Sequence, residues 1–385
     1  MSAFEFAAVP HLIVEQGVSR RLGQLLRGRY TASRLCLVTD AFLHESGLLE
    51  PALTDLRAQG WAVTVIDDVV ADPPDHIVLK AADRAKQAGA EIVLGLGGGS
   101  SLDVAKLIAV LCRSTQPLSD MYGVGKVLGP RLPLILMPTT AGTGSEATAV
   151  SIVTTGETTK SGVVSPLLMA DMAILDATLT VGLPSAATAA TGIDAMVHAI
   201  EAYTSARLKN PLSDMLAMQA MRLLSANLLT ACTDGANMPA REAMLLGANL
   251  AGQAFSNAPV AAVHALAYPL GGHFHVPHGL SNALVLTHVL RYNLPAAQHL
   301  YAELATTLSG EHCPAELHQA AQYFIDQMQA LVRSTGIPQT LREVGVGERD
   351  LALLARDAMQ QQRLLVNNPR AVTESDALAI YQAAF

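Results

Sequence analysis

The stretch EIVLGLGGGSSLDVAKLIAVLC, residues 91–112, constrains the fold more than any other part of the chain. A short apolar run of strand character enters Gly97, Gly98 and Gly99, and a helical pattern follows at once from Ser101 to Cys112. A strand that feeds a helix through a glycine turn is part of a βαβ unit, so it needs parallel strands beside it. The neighbouring sequence offers them: RLCLVTD at 34–40, AVTVID at 62–67 and LPLILMP at 132–138. Between them lie helical patterns, one with Leu48, Leu49, Leu53 and Leu56 and one over 77–88 that stops at Gly89. The alternation predicts an α/β domain with a parallel sheet and helices on both faces.

The character changes near VGLP, residues 181–184. Beyond it, Ala-, Leu- and Met-rich segments with a helical period dominate, at 186–205, 211–232, 239–255, 264–270, 281–293, 315–336 and 348–358. The expected layout is an α/β domain over 1–182 and an all-helical domain over 183–385, each of ordinary size for the 385 residues. No low-complexity linker separates them, so close packing around a cleft is expected.

Composition excludes several classes. The net charge is −8 and no Lys/Arg cluster stands out, against nucleic-acid binding. Cys36, Cys112, Cys232 and Cys313 form no CxxC pair, which argues against a zinc knuckle or a dense disulfide framework and fits a reducing cytoplasm. The N-terminal MSAFEFAAVPHLIVEQG has no basic region ahead of a long apolar run, so it does not read as a signal peptide. The apolar run at 244–255 is broken by Gly247, Asn249 and Gln253, and nothing reaches the length of a spanning helix. A soluble, cytoplasmic protein without a membrane partner is expected.

In a turn such as 97–100, bare backbone N–H groups approach a phosphate and the helix dipole favours the anion. The spacing is not a Rossmann fingerprint, because Ser100 stands where the third glycine is required. It is not a Walker A loop either, because no Gly-Lys-Ser/Thr follows. Taken alone, it is equally a tight turn without a ligand. Asp40 ends the first strand, where a carboxylate accepts hydrogen bonds from ribose hydroxyls and repels a 2′-phosphate, favouring NAD over NADP. The same residue serves equally as the N-cap of a helix from Ala41. PTTAGTGSE, residues 138–146, sets four hydroxyls among small residues and reads as a second phosphate- or nicotinamide-binding loop. Asp103 and Lys106 either orient these loops or form a surface pair.

In TGIDAMVHAIEAY, residues 191–203, Asp194 and His198 are one turn apart on one helix face among Ala, Met, Val and Ile. Burying an unpaired charge is costly, so they need a partner. Either they hydrogen-bond each other or they share a metal. HALAYPLGGHFHVPHG, residues 264–279, holds His264, His273, His275 and His278, four of the chain's 12 histidines, and favours the metal. A carboxylate with neutral imidazoles suits Fe(II) or Zn(II) better than calcium or magnesium. An open coordination position on such a metal polarises an alcohol or carbonyl oxygen.

With GGGSSLDVAK at 97–106, these blocks resemble the iron-containing (group III) alcohol dehydrogenases, in the family's order and over essentially the whole chain. The resemblance implies a dinucleotide-binding α/β domain followed by a helical domain, an architecture shared with dehydroquinate synthase. It implies Fe(II), or Zn(II), on Asp194, His198, His264 and His278. It implies NAD at Asp40, Gly97, Gly98, Gly99, Ser100, Thr139, Thr140, Thr143, Ser145 and Lys160, with Leu179 near the nicotinamide. Hydride transfer between a small alcohol or aldehyde and NAD, with His264 and His278 at the catalytic centre, and a homodimer are implied with them. One position departs. Many members carry a further histidine four residues after the third ligand, where this chain has Tyr268, a group less suited to proton transfer near neutral pH. His273 and His275 are the other proton-relay candidates, with simple packing or a solvent-facing loop as the alternative. A maleylacetate reductase-like or other carbonyl reductase activity is the alternative within the family. A non-enzymatic nucleotide- or metal-binding protein would have to keep both loops and all four ligands unused.

Overall fold

The computed structural model describes residues 3–156, 159–309 and 313–385. The chain forms two compact units. One comprises Ala7–Thr140 and Gly144–Gly182; the other comprises Leu183–Phe385 with Ala141–Thr143 and the N-terminal segment through Phe6.

The first unit contains β1 (His11–Val14), α1 (Leu22–Arg27), β2 (Arg34–Val38), α2 (Ala41–Glu45), α3 (Glu50–Ala58), β3 (Ala62–Ile66), α4 (Asp75–Gln87) and β4 (Ile92–Gly97). It continues with α5 (Gly99–Leu111), β5 (Gly123–Val124), β6 (Leu134–Pro138), β7 (Val150–Thr155), β8 (Thr159–Val164) and β9 (Met172–Leu175). Six strands form a parallel sheet in the order β1-β9-β6-β4-β2-β3. β4 lies between β2 and β6, with Leu94 level with Leu37 and Ile135, and every one of its residues is buried. Burial on both faces explains why it reads as a continuous apolar run rather than an alternating one. One face packs Leu22, Leu26, Leu53 and Leu56 in a core with Leu35, Leu37 and Leu94. The other packs Val78, Ala82, Leu107 and Ile108 with Cys36, Val38 and Val93.

The expected α/β class with a parallel sheet is what the chain adopts, and the four strands read from sequence are β2, β3, β4 and β6. The sequence reading missed β1 and β9. Each has only four residues, too short a run to separate from a loop or helix end, and β1 is an edge strand whose residues are mostly exposed. It also missed a three-stranded sheet, β5-β8-β7, in which β7 and β8 are antiparallel. These Thr-, Ser- and Val-rich strands carry few buried residues, among them Val153 and Val163.

The second unit contains α6 (Ser185–Thr204), α7 (Pro211–Thr233), α8 (Met238–Asn257), α9 (Ala262–Phe274), α10 (His278–Ser309), α11 (Leu317–Ser334), α12 (Leu351–Ala358), α13 (Gln362–Leu365) and α14 (Glu374–Ala384). From Gly192 to Thr204 every residue of α6 is buried, packed by α7, α8 and α10. The histidine-rich stretch was expected as a turn between short helices. Instead α9 runs through Gly271 and Gly272 to Phe274, and α10 starts at His278. His264 and His278 therefore each lie in the first turn of a helix. α10 also continues past Pro295 to Ser309, well beyond the expected end at 293. Among the described residues, no helix is long and apolar enough to cross a membrane.

Candidate metal centre

α6 places Asp194, His198 and Glu201 at i, i+4 and i+7, so all three line one face. The first turn of α9 brings His264, and the first residue of α10 brings His278. The last placement depends on Gly279. A Cβ there would lie 2.4 Å from the Ala190 carbonyl oxygen and 3.3 Å from the Asp194 Cβ, so only glycine lets α10 start this close to α6. One ligand atom from each of Asp194, His198, His264 and His278 lies within 4.8 Å of the others. The first three residues are buried and His278 is half-buried.

The hydrogen bonds give each group its state. Glu201 is buried; its Oε2 accepts from Ala261 N at 2.9 Å and lies 2.7 Å from His264 Nδ1. Its Oε1 accepts from Val263 N at 2.6 Å. Nδ1 is thus the donor to a carboxylate, and the His264 Nε2 lone pair points inward, 3.0 Å from His198 Nε2. Asn282 Nδ2 donates to Asp194 Oδ1 at 2.6 Å. Burial pushes the Asp194 carboxyl up, but His198, His278, His264 and the Asn282 amide outweigh it and leave it below the ordinary range. Burial holds His198 far down, at about 3, so it stays neutral. His198 also stacks on Phe255, ring centroids 4.3 Å apart.

The cluster holds more than a single Asp–His pair: Asp194 Oδ1 accepts from Asn282 at 2.6 Å and lies 3.5 Å from His278 Nε2, while His198 Nε2 and His264 Nε2 are 3.0 Å apart. One anionic oxygen and three imidazoles in that arrangement fit a divalent cation of the Fe(II) or Zn(II) kind. Glu201 and Asn282 were missed from the sequence. The signal was present: Glu201 continues the Asp194–His198 face by one turn, and Asn282 follows His278 by four residues.

The remaining histidines stand apart from the cluster. His273 Nε2 is 2.6 Å from Asp357 Oδ2. His275 is exposed and caps α9 in the left-handed region, at φ 54°. Tyr268 is half-buried with its ring centroid 6.0 Å from that of His278. Of the three proton-relay candidates, only Tyr268 lies beside the four converging side chains.

In the α/β unit, Gly98 is the N-cap of α5 in extended conformation, and Gly99 and Ser100 open the helix. Gly97 has another cause, since a Cβ there would meet the Ser101 Cβ at 2.7 Å. Thr139 N donates to the Gly97 carbonyl, joining the two loops. Asp40 Oδ1 accepts from Leu43 N and caps α2, the structural role weighed for it. Asp103 and Lys106 form no surface pair. The Lys106 side chain is fully buried, with Nζ donating to Ser145 Oγ at 2.7 Å, Thr148 Oγ1 at 3.1 Å and the Val150 carbonyl at 2.6 Å. Burial lowers its pKa, opposed by Asp103. Asp103 accepts from Ser145 Oγ at 2.6 Å and Ile152 N at 2.8 Å, so the Ser145 hydroxyl is held by the chain itself. Lys160, on β8, pairs with Asp72 at 2.6 Å. Leu179 is buried in the core beneath the sheet. Thr140 follows β6, and Thr143 belongs to the helical unit beside Gly142, whose Cβ would meet that of Thr191 at 2.7 Å.

The chain is similar to known proteins over both of its halves. Residues 10–177 match the family described as iron-containing alcohol dehydrogenase, and residues 188–385 match the C-terminal part of the Fe-containing alcohol dehydrogenase family. The chain is 43% identical over 360 residues to long-chain-alcohol dehydrogenase 1 of Geobacillus thermodenitrificans, covering 93% of this chain and 91% of that one. It is 34% identical to the NAD-dependent methanol dehydrogenase of Bacillus methanolicus, covering 98% and 99%. The solved structure of a 1,3-propanediol oxidoreductase superimposes with a TM-score of 0.95 at 35% identity, covering the whole of both chains. The chain therefore belongs to the iron-containing alcohol dehydrogenase family and is an alcohol oxidoreductase, interconverting alcohols and carbonyl compounds.

Proposed function

We propose that this protein is a metal-dependent, NAD-linked dehydrogenase of small alcohols and the corresponding aldehydes, working as a cytoplasmic homodimer. The observation that carries this reading is the convergence of Asp194, His198, His264 and His278 within 4.8 Å. These four residues hold the ion, with Asp194 supplying the negative charge and Asn282 fixing its carboxylate. When bound there, a divalent ion would supply Lewis-acid polarisation of the substrate oxygen. NAD, when bound, would supply the hydride acceptor or donor. Gly98, Gly99 and Ser100 offer backbone N–H groups at the start of α5 to a pyrophosphate. Asp40 Oδ1 caps α2, and its second oxygen would be the acceptor for the adenosine ribose hydroxyls. Thr139, Thr140 and Thr143 serve as further cofactor contacts. Lys160 and Leu179 serve from the positions where Asp72 and the core hold them. Tyr268 is the group of this chain placed to hold or pass a proton near His278.

The NAD preference draws support from Asp40 and from the name of the methanol dehydrogenase relative. The test is nicotinamide absorbance in metal-replete protein with a panel of primary alcohols, diols and aldehydes, using NAD and NADP in parallel. NAD-linked turnover with at least one substrate is expected. No absorbance change with any of them would overturn the reading.

A further inference from the structure

We infer that Glu201 is a positioning residue for the metal: it sets the tautomer and orientation of His264 while capping the helix that carries it. This rests on the four-ligand reading above. The Glu201 side chain is 4% exposed and reaches three donors. Two are backbone groups at the start of α9, Ala261 N and Val263 N. Helix starts leave such N–H groups without intrahelical partners, and the residue at the cap position, Ala261, has no side-chain acceptor of its own. The third donor is His264 Nδ1 at 2.7 Å.

The chemistry leaves one arrangement. A carboxylate accepts and does not donate, and both Glu201 oxygens already receive backbone N–H groups. His264 must therefore carry a proton on Nδ1, so that in the neutral imidazole, the metal-binding form, Nε2 is the lone pair facing His198 and Asp194. Because Glu201 grips Ala261, Val263 and His264 together, the imidazole cannot swing without the first turn of α9 moving too. The anchor also links elements, since Glu201 lies on α6 with Asp194 and His198. Carboxylates behind a ligating imidazole raise its basicity and fix its ring, and losing one costs about 10- to 100-fold in metal affinity. In Glu201→Gln one of the two oxygens becomes an NH2 group, which must face a backbone N–H or the Nδ1 proton. Some donor then loses its acceptor.

The experiment titrates Co(II) and Zn(II) into metal-stripped full-length protein, by chelator competition and by the Co(II) visible spectrum. It compares wild type, E201Q, H264A and E201Q/H264A. Wild type is expected to bind one ion and H264A to bind it far more weakly; if wild type binds none, the metal reading itself fails. With that reading intact, E201Q is expected to lose about 10- to 100-fold in affinity with an altered Co(II) spectrum. It should cost little more affinity once His264 is gone. NADH binding, followed by fluorescence, should be unchanged in E201Q. Wild-type affinity and spectrum in E201Q, or an equal loss with and without His264, would overturn the proposal. If E201Q does not fold, E201D in the same titration decides: it keeps the charge but shortens the reach, so it must show weakened metal binding that is likewise absent in the H264A background.

Discussion

Asp194 carries a charge in a place where charges are expensive, and its neighbours show what keeps it there. The Asn282 amide and three imidazoles hold it below its ordinary pKa despite full burial. From sequence, Asp194 and His198 were legible as a helical pair, but the choice of His264 and His278 over His273 and His275 came only from the family resemblance. Spacing could not make it, because all four histidines fall within one short stretch. The structure separates them by partner: His273 goes to Asp357, and His275 ends α9. His273→Asn should therefore keep metal content and turnover at wild-type level and cost about 1 kcal/mol or less in chemical denaturation, the scale of one partly exposed side-chain hydrogen bond. Asp40→Ser should narrow the NAD over NADP ratio of kcat/KM by about tenfold or more, as a charged hydrogen bond to ribose is lost. An unchanged ratio in steady-state assays with both cofactors would remove Asp40 from the cofactor site.

Helix starts do much of the positioning in this molecule. α5 starts at the glycine turn, α9 is capped by Glu201, and α10 starts on His278. The glycine turn was legible because glycine and periodicity are local signals. The start of α10 was not, because what fixes it is the closeness of Gly279 to the Ala190 carbonyl, a contact across the fold. Gly279→Ala should push α10 from α6, cost about 1–3 kcal/mol, and weaken metal retention measured by elemental analysis. The loop after β6 depends on Lys106 in the same way. Lys106→Met removes the donor to Ser145, Thr148 and Val150 and leaves Asp103 without its buried cation. A loss of about 3 kcal/mol or more is expected in denaturant unfolding, together with weaker NADH binding by fluorescence.

At the scale of the whole chain, hydrophobic periodicity gave the order of strands and helices, since long buried segments such as β4 and α6 reveal their surroundings in their own residues. It was silent where structure depends on partners distant in sequence. β1 pairs with β9 across a sequence separation of 161 positions, His11 opposite Met172, and Ala141–Thr143 joins a unit whose main body starts at Leu183. Family membership follows from the match over both halves of the chain. The chemistry rests on whether four side chains from three helices hold one ion. The direct measurement is metal content by elemental analysis, paired with NAD-linked alcohol oxidation, for wild type and His264→Ala prepared side by side with iron or zinc supplied. The account predicts about one ion per chain and turnover in wild type, and loss of both in the variant. Full metal content with full activity in His264→Ala would contradict it.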